Sequence, residues 1–85
     1  MSQFEKLKAR IMQPQPPKDI MPKELKNFLE RIGFTHKGTT GSHHIYKHLR
    51  LRDNYSIPMH NHPIKPIYII KIREALIELG EGGIS

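Results

Sequence analysis

The run Gly33-Phe34-Thr35-His36-Lys37-Gly38-Thr39-Thr40-Gly41-Ser42-His43-His44-Ile45-Tyr46-Lys47-His48-Leu49 decides the fold of this chain. Its pattern predicts one strand over Phe34 to Thr40, ended by Gly41, and a second over His43 to Leu49. Successive side chains on a strand alternate across the sheet. His43, Ile45 and Lys47 therefore share one face of the second strand, and His44, Tyr46 and His48 share the other. Neither face is cleanly apolar, which is unusual for a strand lying over a core. Arg50 to Asn54 supplies a turn into a third strand, Asn54 to Ile57, closed by Pro58, with Tyr55 and Ile57 pointing inward.

Helical patterns flank this block. Pro22 is a favoured first-turn residue, Glu24 suits the positive end of the helix dipole, and Leu25, Phe28, Leu29 and Ile32 recur at core-facing spacing. Gly33 is the natural stop of that helix, and Phe34 can fold back onto its last turn. After a loop over Met59 to Lys65, Pro66 opens a last helix. Ile69, Ile72, Leu76 and Leu79, with Tyr68 and Ala75 alongside, form its apolar stripe, while Lys71, Glu74 and Glu78 line the wet side. At the N-terminus, Ser2-x-x-Glu5 reads as a capping box for a helix burying Phe4, Leu7 and Ile11. The segment Gln13-Pro14-Gln15-Pro16-Pro17 then forbids helix. The organisation expected is a helix with a Pro-rich linker over residues 1–19, an α-β-β-β-α domain over 20–80 and a frayed tail over 81–85. The fold class is α+β.

Composition narrows the chemistry. With no cysteine among 85 residues there is no disulfide framework and no thiolate nucleophile. No apolar run approaches the roughly 20 residues that cross a bilayer. The first residues lack the pattern of a signal peptide, so a cytoplasmic protein is expected. Lys plus Arg outnumber Asp plus Glu by 14 to 8, for a net charge of +6. Between Arg31 and Arg52 no acidic residue occurs, while Lys37, Lys47, Arg50 and Arg52 fall within that stretch or at its end. Such a basic segment suits nucleic acid.

Six histidines admit three readings. His60-x-His62, with a third ligand from the Gly41–His48 block, is a weak metal-binding pattern, since the helical His-x-x-x-His spacing is absent. Taken singly, His36, His44, His48, His60 and His62 read as structural histidines satisfying local hydrogen bonds. The third reading is acid–base cleavage of RNA. It needs a base for the 2′-hydroxyl proton, a cation for the charged phosphorane and an acid for the leaving oxygen, with no metal or covalent intermediate. His43 at a strand start suits the first need, beside a glycine that lets a phosphodiester approach the backbone. Lys47, on the same face, is a candidate cation, and Ser42 a candidate hydrogen-bond donor to phosphate. His44, His48, His60 and water remain open as the general acid.

The ordered set Ile32-Gly33-Phe34, Lys37-Gly38-Thr39-Thr40-Gly41-Ser42-His43-His44-Ile45-Tyr46-Lys47-His48 and Ile57-Pro58-Met59-His60, followed by Ile64-Lys65-Pro66, resembles the HicA family of toxin ribonucleases over about Pro22 to Leu79. The resemblance implies a double-stranded-RNA-binding-like fold with a three-stranded antiparallel sheet. It also implies an mRNA interferase activity without cofactor and neutralisation by a HicB-type antitoxin. It implies His43 as the catalytic histidine, with Gly41, Ser42 and His44 as motif support. The N-terminal helix and the histidine-rich loop Met59 to Pro63 depart from the short family pattern. A non-catalytic RNA-binding module using the same basic residues is the alternative.

Overall fold

The hydrophobic stripes of three helices and one face of a short sheet close on each other to make a single core. The computed structural model describes residues 3–59 and 61–80, so Ser2 of the expected capping box, His60 and the 81–85 tail lie outside the described residues. The order is α1 (Gln3–Ile11), α2 (Pro22–Arg31), β1 (Thr35–Thr40), β2 (His43–Lys47), β3 (Tyr55–Pro58) and α3 (Pro66–Glu78). The strands form one antiparallel sheet with β2 in the centre. This is the α+β arrangement with α-β-β-β-α order and an additional N-terminal helix.

The strand boundaries differ from expectation by one or two residues: β1 starts at Thr35 instead of Phe34. The second strand ends at Lys47 instead of Leu49, because His48 turns into a bend in which the Leu51 amide donates to the His48 carbonyl at 3.1 Å. The third runs one residue later, from Tyr55 to Pro58. A proline is tolerated there because β3 is an edge strand.

The α2–β1 junction follows from local chemistry. The Gly33 amide donates to the Glu30 carbonyl at 3.2 Å and the Phe34 amide to the Leu29 carbonyl at 2.9 Å. This is a Schellman stop, with Gly33 at φ +105°. It buries Phe34 against the last turn of the helix and aims the chain into β1. At the other end of α2 the Met21 amide donates to the Glu24 carboxylate at 3.0 Å.

Leu25, Phe28 and Leu29 of α2, Tyr46 and Ile57 of the sheet, and Ile69, Ile72, Ala75 and Leu76 of α3 form the core. Tyr46 is fully buried, which answers the mixed character of its strand: the inward face of β2 is aromatic instead of aliphatic. The opposite face carries His43 and Lys47, both exposed, with Ile45 half-buried between them.

The N-terminal helix belongs to this same core. Leu7 and Ile11 are buried in it, and Phe4 stacks on Phe28 with ring centroids 5.0 Å apart. Beyond the linker Ile20 is also fully buried, and its carbonyl accepts the Ile64 amide at 2.8 Å. The end of α1 is held by Arg73 of α3, whose guanidinium donates to the Ile11 carbonyl at 3.0 Å and also to the Gln13 carbonyl. A cation on the orphan carbonyls of a helix end both completes hydrogen bonds and meets the negative end of the dipole. Replacing Arg73 with methionine, which keeps the aliphatic packing, is expected to cost about 2 kcal/mol. Hydrogen exchange should localise the loss to amides of α1, and unchanged protection there would disprove the clamp.

Candidate active site at the start of the central strand

Gly41 and Ser42 form a two-residue connection between paired Thr40 and His43. Gly41 takes φ +61°, whereas no residue other than glycine has positive φ among the described residues. That combination fits a type II′ hairpin turn, in which the first position requires the left-handed conformation. The turn sets His43 as the first residue of β2, paired with Thr40 on one side and Pro58 on the other. The Met59 amide donates to the Ser42 carbonyl at 2.8 Å, tying the chain that leaves β3 to the turn. The imidazole of His43 is exposed on a backbone held from both sides.

Antiparallel pairing brings the segment after β3 back beside the start of β2. His43 thereby lines a small pocket of about 240 Å³ together with Pro58, His62, Lys65 and Tyr68. Lys65 stands immediately before α3 and is exposed. Tyr68, on the first turn of that helix, is half-buried, with the Lys71 ammonium 5.8 Å from its ring centroid. Among the described residues no carboxylate lines this pocket.

The basic residues expected to grip RNA lie elsewhere. Lys47 shares the outward face with His43 but stands four residues along the strand, about 13 Å at the usual strand rise. Lys37 is the unpaired residue of a bulge, where the register skips from His36 to Gly38. Arg50 and Arg52 are exposed in the β2–β3 connection, at the far end of the sheet. The cation that shares the His43 pocket is Lys65, which the expectations from the sequence passed over. The register explains why: a residue paired with His43 ends β3, so the loop after β3 must flank it.

The remaining histidines divide by their surroundings. At His48 the Arg50 amide donates to Nδ1 at 3.0 Å, so that nitrogen is the bare one. Nε2 then carries the proton and donates to the Ile32 carbonyl at 2.9 Å. The ring also meets Phe34 edge-on, with centroids 5.2 Å apart. With both nitrogens engaged and the side chain buried, His48 is a structural pin between β2 and the end of α2, not a proton shuttle at the His43 pocket.

His44 points to the sheet face opposite His43, where its ring centroid lies 5.0 Å from that of His36. His36 in turn sits 5.4 Å from the Tyr46 ring and 3.1 Å from the Thr39 hydroxyl. The Nδ1 of His44 and the hydroxyl of Tyr46 are buried without a hydrogen-bond partner among the described residues. Burial, then the charges of His36 and Lys26, lower the His44 pKa from its ordinary 6.5. Burial and the Glu30 carboxylate push the Tyr46 phenol up.

A histidine depressed in the folded state stays neutral there while its unfolded counterpart takes up a proton. The fold is then penalised as pH drops below about 6.5, and the penalty stops growing below the folded value. Stability should therefore fall on acidification through that window, and His44→Gln should remove part of the slope. Urea melts from pH 7.5 to 5 test this, and an unchanged slope in the variant would refute the assignment to His44.

Among the described residues no group of three or more His, Cys, Asp or Glu side chains is placed to hold a metal ion, and His60 of the His60-x-His62 pattern lies outside them. No helix of the described residues is long and apolar enough to cross a membrane. Comparison with curated proteins and with solved structures gave no match. Comparison with protein families matched residues 22–80 to the HicA toxin of bacterial toxin–antitoxin systems. The match begins at the first residue of α2 and ends just past α3, so it spans these two helices, the sheet and the His43 pocket. The chain belongs to the HicA toxin family.

Proposed function

We propose that this toxin is an endoribonuclease, an mRNA interferase that cuts RNA by acid–base catalysis at His43 without a metal and is held inactive by a HicB-type antitoxin. One observation carries the reading: an exposed imidazole on a doubly paired strand, beside a glycine turn and in a pocket with a lysine and, among the described residues, no carboxylate. His43 takes the proton of a ribose 2′-hydroxyl. The oxygen so activated forms a bond to the adjacent phosphorus, and the bond from phosphorus to the 5′-oxygen breaks. A proton from solvent or a nearby acid completes the leaving hydroxyl. The products are a 2′,3′-cyclic phosphate and a 5′-hydroxyl end. RNA supplies its own nucleophile, so the protein's work is proton transfer and stabilisation of negative charge.

Of the acids left open by the sequence, His48 is tied up by Ile32 and Arg50, and His44 lies on the wrong face. Gly41 supports the site through the turn it makes, and Ser42 through its tie to Met59. The exposed Lys37, Lys47, Arg50 and Arg52 serve phosphates further along the RNA. A net charge of +6 favours an acidic or apolar surface as the antitoxin's cover for this face.

The second reading, RNA binding without cleavage, draws on those same four residues, which stand apart from His43. Incubation of a mixed-sequence transcript with chelator-treated protein separates the two. Cleavage leaving cyclic phosphate ends supports the nuclease. A salt-sensitive complex with intact RNA would overturn it in favour of the binding module.

A further inference from the structure

The pocket beside His43 has a size and lining that a general basic surface does not need. At about 240 Å³ it is smaller than the roughly 300–1,000 Å³ that engulfs a free small ligand. It suits one ring-sized portion of a longer molecule whose remainder lies outside. Its walls combine an ammonium at Lys65, a half-buried aromatic ring at Tyr68 and apolar surface from Pro58 and Ile64. That is the make-up of a site for one nucleotide: a cation for the phosphate and a ring face for the base.

We propose that this pocket seats a single unpaired nucleotide next to the scissile phosphate, with Lys65 holding the phosphate and Tyr68 stacking on the base. The proposal rests on the nuclease reading above and adds a substrate class to it. A base inside a duplex already has both faces covered by its neighbours and offers none to a protein ring. Tyr68 therefore selects RNA that is single-stranded at the cut. Lys65 takes the place beside His43 that Lys47 is too far along the strand to fill.

The experiment compares cleavage of a labelled mixed-sequence RNA, alone and annealed to its complement, by wild type, Lys65→Ala, Lys65→Arg, Tyr68→Ala, Tyr68→Leu and Tyr68→Phe. Annealing is expected to slow wild-type cleavage at least about tenfold. Lys65→Ala and Tyr68→Ala should each lower kcat/KM by about 10- to 100-fold, while Lys65→Arg and Tyr68→Phe keep most of it. Tyr68 also packs against the core, so Tyr68→Leu keeps the bulk while removing the ring, and it should share the defect at an unchanged melting temperature. If wild type cuts in a His43-dependent way but Lys65→Ala and Tyr68→Leu stay within twofold, the nucleotide pocket is wrong and the nuclease reading stands. Equal cutting of single strand and duplex overturns the pocket in the same way. If wild type does not cut, or His43→Ala cuts as well as wild type, both fall together.

Discussion

Replacing His43 with alanine is expected to lower the rate of RNA cleavage by about 10²- to 10⁴-fold, the range that a positioned general base contributes. The same change should hardly touch the fold. The imidazole is exposed, and its strand is held by backbone pairing to β1 and β3 and not by the side chain. Exposed substitutions of this kind usually stay within about 0.5 kcal/mol. At roughly 4–8 °C per kcal/mol for a domain of this size, the melting temperature should move by about 4 °C at most. Single-turnover cleavage and a thermal melt on the same sample give the two readouts. Full activity in the variant would end the proposed mechanism, and a large drop in melting temperature would mean the loss of activity came from unfolding. His43→Gln, which keeps a polar group of similar length, should be as inactive as the alanine variant if proton transfer is what matters.

The largest effect on stability is expected at Gly33, at the opposite end of the same architecture. Its φ of +105° is costly for any residue with a Cβ. A Cβ built there would also lie 2.8 Å from Nε2 of His48. Gly33→Ala must therefore strain the backbone and push the imidazole off the Ile32 carbonyl. The expected cost is about 3 kcal/mol, combining backbone strain with a lost buried hydrogen bond. His48→Ala removes the ring, strands the Ile32 carbonyl and the Arg50 amide, and should cost about 2–3 kcal/mol. A domain of this length has a total stability on the order of 4–13 kcal/mol, so either change is severe. The double variant decides the cause. With the ring gone, the alanine methyl meets no clash, and the combined loss should fall short of the sum by about 1 kcal/mol or more. Strict additivity in urea melts would show that His48 does not constrain Gly33.

The contrast between these two experiments reflects what the sequence could and could not show. Alternation along His43 to His48 separated an outward from an inward set, and the structure keeps that division. The helix stop at Gly33-Phe34 and the core stripes of α2 and α3 were legible for the same reason, since each depends on residues a few positions apart. What escaped depends on residues brought together across the sheet. Lys65 and Tyr68 meet His43 only because β3 runs back alongside β2, and no local pattern marks them. Lys47 keeps the face it was expected to share with His43, four residues or about 13 Å along the strand, and stays a candidate phosphate partner. His48 read as a structural histidine from the sequence, but its partners did not, because Ile32 and Arg50 fall on opposite sides of it in the chain. The N-terminal helix shows a different limit. Its apolar spacing predicted a buried face, but only the fold reveals that α3 supplies the arginine that finishes it.

The exposure of His43 on a strand paired at both edges also bears on how a toxin of this kind is switched. Its catalytic group, on the proposed reading, is already in position, and among the described residues no segment has to rearrange to assemble it. An inhibitor then has only to lie across one end of the sheet. Awakening becomes a matter of dissociation alone: as soon as the cover leaves or is destroyed, the enzyme is competent. On that reading, the delay between losing the antitoxin and the first cut is set by an off-rate or by proteolysis of the partner, with no refolding time added.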